Sequence, residues 1–158
     1  MKAKYLFPNK YKKIGWFVLI PSSIIGVIIL VIDLEPTFLD LNAPAIFVDN
    51  FLKGKKIFGI VENNILNEIL GILVIISSLL VSFSKEKNED EFIQEIRLES
   101  LVWAVYVNYG VLIIAFVFIY DISFLWVMIF NMFTILIFFI IRFQWQISKL
   151  NKSATYEK

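Results

Sequence analysis

A chain of 158 residues that is 59% hydrophobic and carries a formal net charge of +1 has little length left for a soluble domain once its apolar segments are set aside; one small bundle is what it can build. Cysteine and histidine are both absent, which excludes disulfides, thiolate nucleophiles, zinc fingers, imidazole haem ligation and the commonest general base. Catalysis would have to rest on carboxylates, lysine or hydroxyls alone, so the expectation is a protein that is not an enzyme and holds no cofactor or metal.

Residues 14–32, 69–84, 100–120 and 122–141 contain no charged side chain. A hydrocarbon slab of about 30 Å needs roughly 20 helical residues to cross it, and a charge at its centre costs about 2.5 to 3.5 kcal/mol. The pattern predicts an all-α integral membrane four-helix bundle, one domain over 1–158, with spans at about 14–32, 64–84, 100–120 and 122–141. The second reaches spanning length only if its helix starts near Asn64 and carries Glu68 at its outer edge. A soluble bundle would show a polar face at 3.6-residue spacing, and residues 111–120 have none.

In chain order, Lys2, Lys4, Lys10, Lys12 and Lys13 precede the first span. The apolar run behind them is long and lacks a small-x-small cleavage pattern, so it reads as an uncleaved span. Pro21 with Ser22 and Ser23 interrupts it, and Ser22 and Gly26 form a small face. Ser78 and Ser82, with Gly71, offer a matching face on span two, and the two faces are expected to pack. The competing expectation is that the serines bond their own backbone four residues back.

Between these spans, residues 33–63 are expected to form a partly structured external loop. The first half, with Glu35, Pro36, Asp40, Asn42 and Pro44, reads as irregular and acidic. The second half, apolar around Lys53, Gly54, Lys55 and Lys56, reads as a short amphipathic helix or a hairpin at the outer interface. Asn63 or Asn64 is the expected N-cap of span two. Glu68, one turn inside that span, is the candidate ion site, paired with Lys53, Lys55 or Lys56, although a carboxylate so near a helix end more often reaches interfacial water. Asp33, Glu35 and Asp40 lack the alternate-residue oxygen spacing of a calcium loop.

The internal loop is the most charged part of the chain. Asn88 is expected to cap a helix with Glu89, Asp90 and Glu91 in its first turn, giving a cytoplasmic extension over 89–99 that runs unbroken into span three. Glu91, Glu95 and Glu99 recur every four residues and repel one another by a few tenths of a kcal/mol per pair, which a basic partner or a cation could relieve. Phe92 and Ile96 supply an apolar edge beside them. Arg97 has no acid three or four residues away and is expected to reach a lipid phosphate or another cytoplasmic segment. These six residues are the candidate partner-binding set, against the plain alternative of a solvated helix face.

Spans three and four are expected to form a tight hairpin at Asp121. Asn108 and Thr134 both lie 13 residues from it, so an interhelical polar contact is expected between Asn108 and Thr134 or Asn131, on the face that also carries Ala104 and Ala115. No ionisable group sits deep in the spans, which speaks against a proton-coupled transporter. Positive residues cluster in the segment before span one, in 85–97 and after Arg142, so both termini and the 85–99 loop are expected in the cytoplasm. Trp16, Trp103 and Trp145 fall near the same inner boundary.

The run from Ser84 to Ser100, SKEKNEDEFIQEIRLES, leading into Leu101-Val102-Trp103-Ala104, resembles a group of small, uncharacterised four-span bacterial membrane proteins in which an acidic stretch likewise opens the third span. The likeness covers mainly residues 84–143. It implies the bacterial inner membrane as the location. Because the neighbouring gene in such families often encodes a helix-turn-helix regulator, it also implies a regulator held at the membrane. The functional expectation is therefore an interaction module, in contact with the bilayer and capable of homo-oligomerisation, that docks a basic cytosolic protein through residues 85–99 and binds no nucleic acid directly. The alternative is a minimal oligomeric transporter or channel subunit, and a lipid-modifying enzyme ranks last because no catalytic constellation is visible.

Overall fold

The computed structural model describes residues 5–32, 36–45, 48–50, 54–56 and 58–156, with the side chains of 45, 48–50, 54–56 and 153–156 set aside. Four helices dominate: α1 (Lys10–Ile32), α2 (Leu66–Ser82), α3 (Glu91–Phe118) and α4 (Ile122–Tyr156). Between α1 and α2 lie a 3-10 turn (Thr37–Leu39) and strands β1 (Asp40–Ala45), β2 (Val48–Asn50), β3 (Gly54–Lys56) and β4 (Gly59–Asn64).

Among the described residues, three helices are long and apolar enough to cross a bilayer: α1, α3 and the Ile122–Lys152 stretch of α4. Their apolar side chains are mostly uncovered by protein, with Tyr106, Phe118 and Ile122 each at least two-thirds exposed. Water would not tolerate so much apolar surface, whereas lipid does. These are the properties of a membrane protein. Helix α2 is shorter than the 64–84 expected. Its 17 residues reach about 25 Å, because residues 59–64 are drawn into a strand and the chain leaves the helix after Ser82.

The chain divides into two compact units. In the unit Ile20–Leu73, β1 and β4 pair antiparallel from Asp40↔Asn64 to Ala45↔Gly59, and β2 pairs with β3 from Val48↔Lys56 to Asn50↔Gly54. The hairpin is thus realised and extends further than expected: the stretch read as an irregular acidic loop forms β1. Its Pro44 is tolerated because every strand of a two-stranded sheet is an edge. Asn64 ties strand to helix. Its Nδ2 donates to Asp40 Oδ1 at 2.7 Å and to Pro36 O at 2.8 Å, while its Oδ1 accepts the Leu66 amide at 3.2 Å.

The second unit, Met1–Leu19 with Val74–Lys158, holds the main core: Leu19, Val81, Ile93, Ile96, Ala104, Phe139, Ile140, Phe143 and Ile147. Helices α3 and α4 run antiparallel from a tight turn in which Asp121 takes φ 57°, a left-handed conformation that aspartate adopts more readily than most residues. Helix α4 does not stop at residue 141. It continues to Tyr156, because Ile140, Phe143, Ile147 and Leu150 keep a three-to-four spacing and pack on Ile93 and Ile96 of α3. Beyond the apolar spans the two helices therefore continue together, with Ile93, Ile96, Phe143 and Ile147 in the main core.

Close helix approach occurs at a glycine other than the one expected. A Cβ at Gly15 would stand 2.8 Å from Val81 Cγ2 and 3.1 Å from Ser77 O, so α1 and α2 meet here backbone to side chain. A Cβ at Gly26 would meet nothing within 4 Å. The alternative expected for the serines fails at Ser82, whose buried Oγ has no hydrogen-bond partner among the described residues; the neighbouring Ser77 Oγ, not among those named, donates to Val74 O at 3.2 Å.

Candidate functional site at the charged end

The end of α2 is where the charged residues of four segments converge. A helix leaves its last carbonyls without intrahelical donors, and these must find partners elsewhere. Arg97 Nη1 donates to Ser82 O at 2.9 Å and to Ser84 O at 3.1 Å. The Phe7 amide donates to Phe83 O at 2.9 Å, Phe7 O accepts the Lys85 amide at 2.9 Å, and Asn9 Nδ2 donates to Lys85 O at 2.6 Å. Guanidinium charge at a helix C-terminus also opposes the negative end of the helix dipole.

Arg97 is the centre of this junction. Its Nη2 reaches both Glu89 oxygens, at 3.0 and 2.9 Å, and its guanidinium lies 4.7 Å over the Phe143 ring. Phe143 stacks on Phe139 at 5.7 Å, and Phe139 on Phe83 at 5.8 Å. Of its two expected destinations the structure takes the second, a neighbouring segment. With 7% exposure Arg97 is corrected from a partner-binding residue to an internal one. Lys12 pairs with Glu86 and lies 3.4 Å from Gln144 Oε1, tying α1 to the same loop and to α4.

The N-cap of α3 also differs from expectation. Asp90, rather than Asn88, caps the helix, its Oδ1 accepting the Ile93 amide at 2.8 Å. The reason lies in Glu89, whose carboxylate turns back to Arg97 and to the Glu86 amide and so leaves the helix to begin at Glu91.

Of the remaining candidate partner-binding residues, Glu91, Glu95 and Glu99 are exposed along α3 as expected, and Phe92 is 53% exposed, while Ile96 is buried in the core. The repulsion argued for the acidic row is relieved within the chain at Glu99, whose Oε1 accepts Arg142 Nη2 at 2.9 Å; Arg142 lies 4.8 Å over the Trp103 ring. Sequence reasoning missed this because it searched only the same helix. Phe92, Glu95, Ile96 and Glu99 then form one wall of a cleft of about 490 Å³, with Arg142, Trp145, Gln146, Lys149 and Leu150 of α4 as the other. The apolar spacing that carries α4 past residue 141 was the signal for that second wall.

The other candidates are not brought together. Asn108 is buried on one face with Ala104 and Ala115, as read, but its Oδ1 has no hydrogen-bond partner. Thr134 Oγ1 donates instead to Phe130 O of its own helix at 2.7 Å, the usual way a hydroxyl in apolar surroundings is satisfied, and Asn131 is half-buried. The expected interhelical polar bond is therefore not made. Glu68 is exposed and accepts Asn63 Nδ2 at 2.8 Å; its expected pairing with Lys53, Lys55 or Lys56 lies outside the described side chains, as do Asp33 and Glu35. Among the described residues no three acidic side chains gather as a metal site.

No known protein family, curated protein or solved structure matches the chain. What can be said of function rests on the junction and the cleft.

Proposed function

We propose that this is a bacterial inner-membrane protein without catalytic chemistry, a four-helix bundle with both termini in the cytoplasm, which docks a basic cytosolic protein on the exposed Glu91, Phe92 and Glu95 edge of α3. The observation that carries this reading is that α3 and α4 extend together past their apolar spans and that Ile93, Ile96, Phe143 and Ile147 of these extensions belong to the main core. A stiff projection with an acidic, partly apolar edge is suited to binding a soluble partner. A helix-turn-helix regulator is the partner the sequence resemblance implies. The acidic segment contributes less than its composition promises, because Glu86, Glu89, Asp90 and Glu99 are engaged within the chain. The test is affinity capture in mild detergent with Glu91→Lys combined with Glu95→Lys, two exposed changes that leave the junction intact. Loss of a co-purifying basic protein is expected, and its unchanged recovery would remove the idea.

A second reading, a minimal oligomeric transporter or channel subunit, has one observation in its favour, the buried and unpartnered Asn108 Oδ1. Ion flux into vesicles containing the protein that is indifferent to Asn108→Leu and to Glu68→Gln would count against it.

A further inference from the structure

The cleft between α3 and the end of α4 carries a charge pattern that docking of a basic protein leaves unexplained. Its α3 wall presents Glu95 and Glu99, and its α4 wall presents Arg142 and Lys149, with Phe92 and Trp145 between and beside them. A ligand of a single sign meets one attracting wall and one repelling wall. A ligand that carries a cation and an anion a few ångströms apart is attracted by both. At about 490 Å³ the cleft has the volume of a small-molecule site, ample for a headgroup and part of its glycerol.

Its depth narrows the class further. Arg142 directly follows the apolar stretch that ends at residue 141, and Glu99 directly precedes the one that starts at residue 100. The Trp103 indole lies beneath the Arg142 guanidinium, and Trp145, 63% exposed, flanks the opening. Tryptophan, arginine and lysine gather in this way at the level of lipid phosphates. A guanidinium has five donors, and the recorded bond to Glu99 uses one of them, so Arg142 can hold its carboxylate and a phosphate oxygen together. Carboxylates favour a cation that donates hydrogen bonds. A methylated ammonium would instead call for a cage of aromatic rings.

We propose that the cleft seats the headgroup of a zwitterionic membrane phospholipid bearing a primary ammonium, the phosphate towards Arg142 and Lys149 and the ammonium towards Glu95 and Glu99. This site rests on α3 and α4 crossing the bilayer; it shares Phe92 and Glu95 with the proposed docking edge but needs no soluble partner.

The experiment uses the full chain, purified in mild detergent and stripped of lipid, then offered an equimolar mixture of phosphatidylethanolamine, phosphatidylcholine and phosphatidylglycerol with identical acyl chains. Bound lipid is read by native mass spectrometry. The expected result is retention of phosphatidylethanolamine over each of the others by about tenfold, the scale of one charge-assisted hydrogen bond. Glu95→Gln combined with Lys149→Gln, both at exposed positions, should erase the preference in a protein that still folds, and Lys149→Arg should keep it. Equal retention of the three lipids, preference for either of the other two, or a preference that survives the double substitution would overturn the proposal. A polypeptide bound at the cleft without headgroup selectivity would overturn it as well. Because only purified components are present, failure to dock a cytosolic protein cannot mimic any of these results.

Discussion

Replacing Arg97 with methionine keeps most of the side-chain stem while deleting the guanidinium, and the structure allows the consequence to be worked through. Four hydrogen bonds are lost, two to Glu89 and two to the carbonyls of Ser82 and Ser84, together with the stack on Phe143. Glu89, with its side chain 11% exposed, keeps the Glu86 amide as its donor among the described residues and becomes a nearly uncompensated buried charge. Breaking a buried pair in this way costs about 3 to 5 kcal/mol. Arg97→Lys keeps the charge but cannot grip two carboxylate oxygens and two carbonyls at once, and should cost about 1.5 to 3 kcal/mol. Arg97→Met combined with Glu89→Leu should be milder than Arg97→Met alone, since the stranded carboxylate is gone. Unfolding by SDS titration, followed through tryptophan fluorescence, reads the parent, these three variants and Glu89→Leu alone. An Arg97→Met variant within about 1 kcal/mol of the parent, or strict additivity of the two single changes, would refute the account of Arg97 as the centre of the junction.

Three further outcomes follow from local geometry. Gly15→Ala forces a Cβ against Val81 and should destabilise by about 1 to 3 kcal/mol in the same titration, whereas Gly26→Ala, facing open space, should be neutral or stabilising by up to about 1 kcal/mol. Asp121→Gly relieves the left-handed backbone and should stabilise by about 0.5 to 1 kcal/mol, while Asp121→Val at φ 57° should lower stability measurably. Since the chain has no cysteine of its own, single cysteines at Asn42, Asn88 and Ser153 should react with an impermeant thiol reagent from outside, inside and inside the cell; labelling of position 88 on intact cells would reverse the proposed orientation.

The sequence made the apolar helices and the Asp121 hairpin legible because both are written in strictly local terms, uncharged length and a single polar break. Asn64 at the start of α2 was readable for the same reason. Arg97 was not. Its partners are Glu89, eight residues back across the helix start, and two carbonyls at the end of another helix, and no spacing rule within one helix reaches them. The uncharged span of 122–141 says nothing of where α4 ends; Phe143, Ile147 and Leu150 continue the core-facing spacing among polar neighbours to Tyr156. Strand β1 was hidden by Asn42 and Pro44, poor strand formers that pairing with β4 overrides. The acidic face of α3 was visible, but the opposing cations of α4 become its neighbours only through tertiary packing.

The backbone bonds from Phe7 to Phe83 and Lys85, with the Asn9 side chain on Lys85, have a consequence for biogenesis. Asn9 and Lys85 stand 76 positions apart, so the leading segment leaves the ribosome long before the residues that will clasp it. Until the chain has been synthesised as far as Lys85, the segment before the first helix lacks these backbone partners. The clasp can close only when both segments emerge on the same side of the bilayer, and an insertion that strands one of them opposite would leave those peptide groups bare.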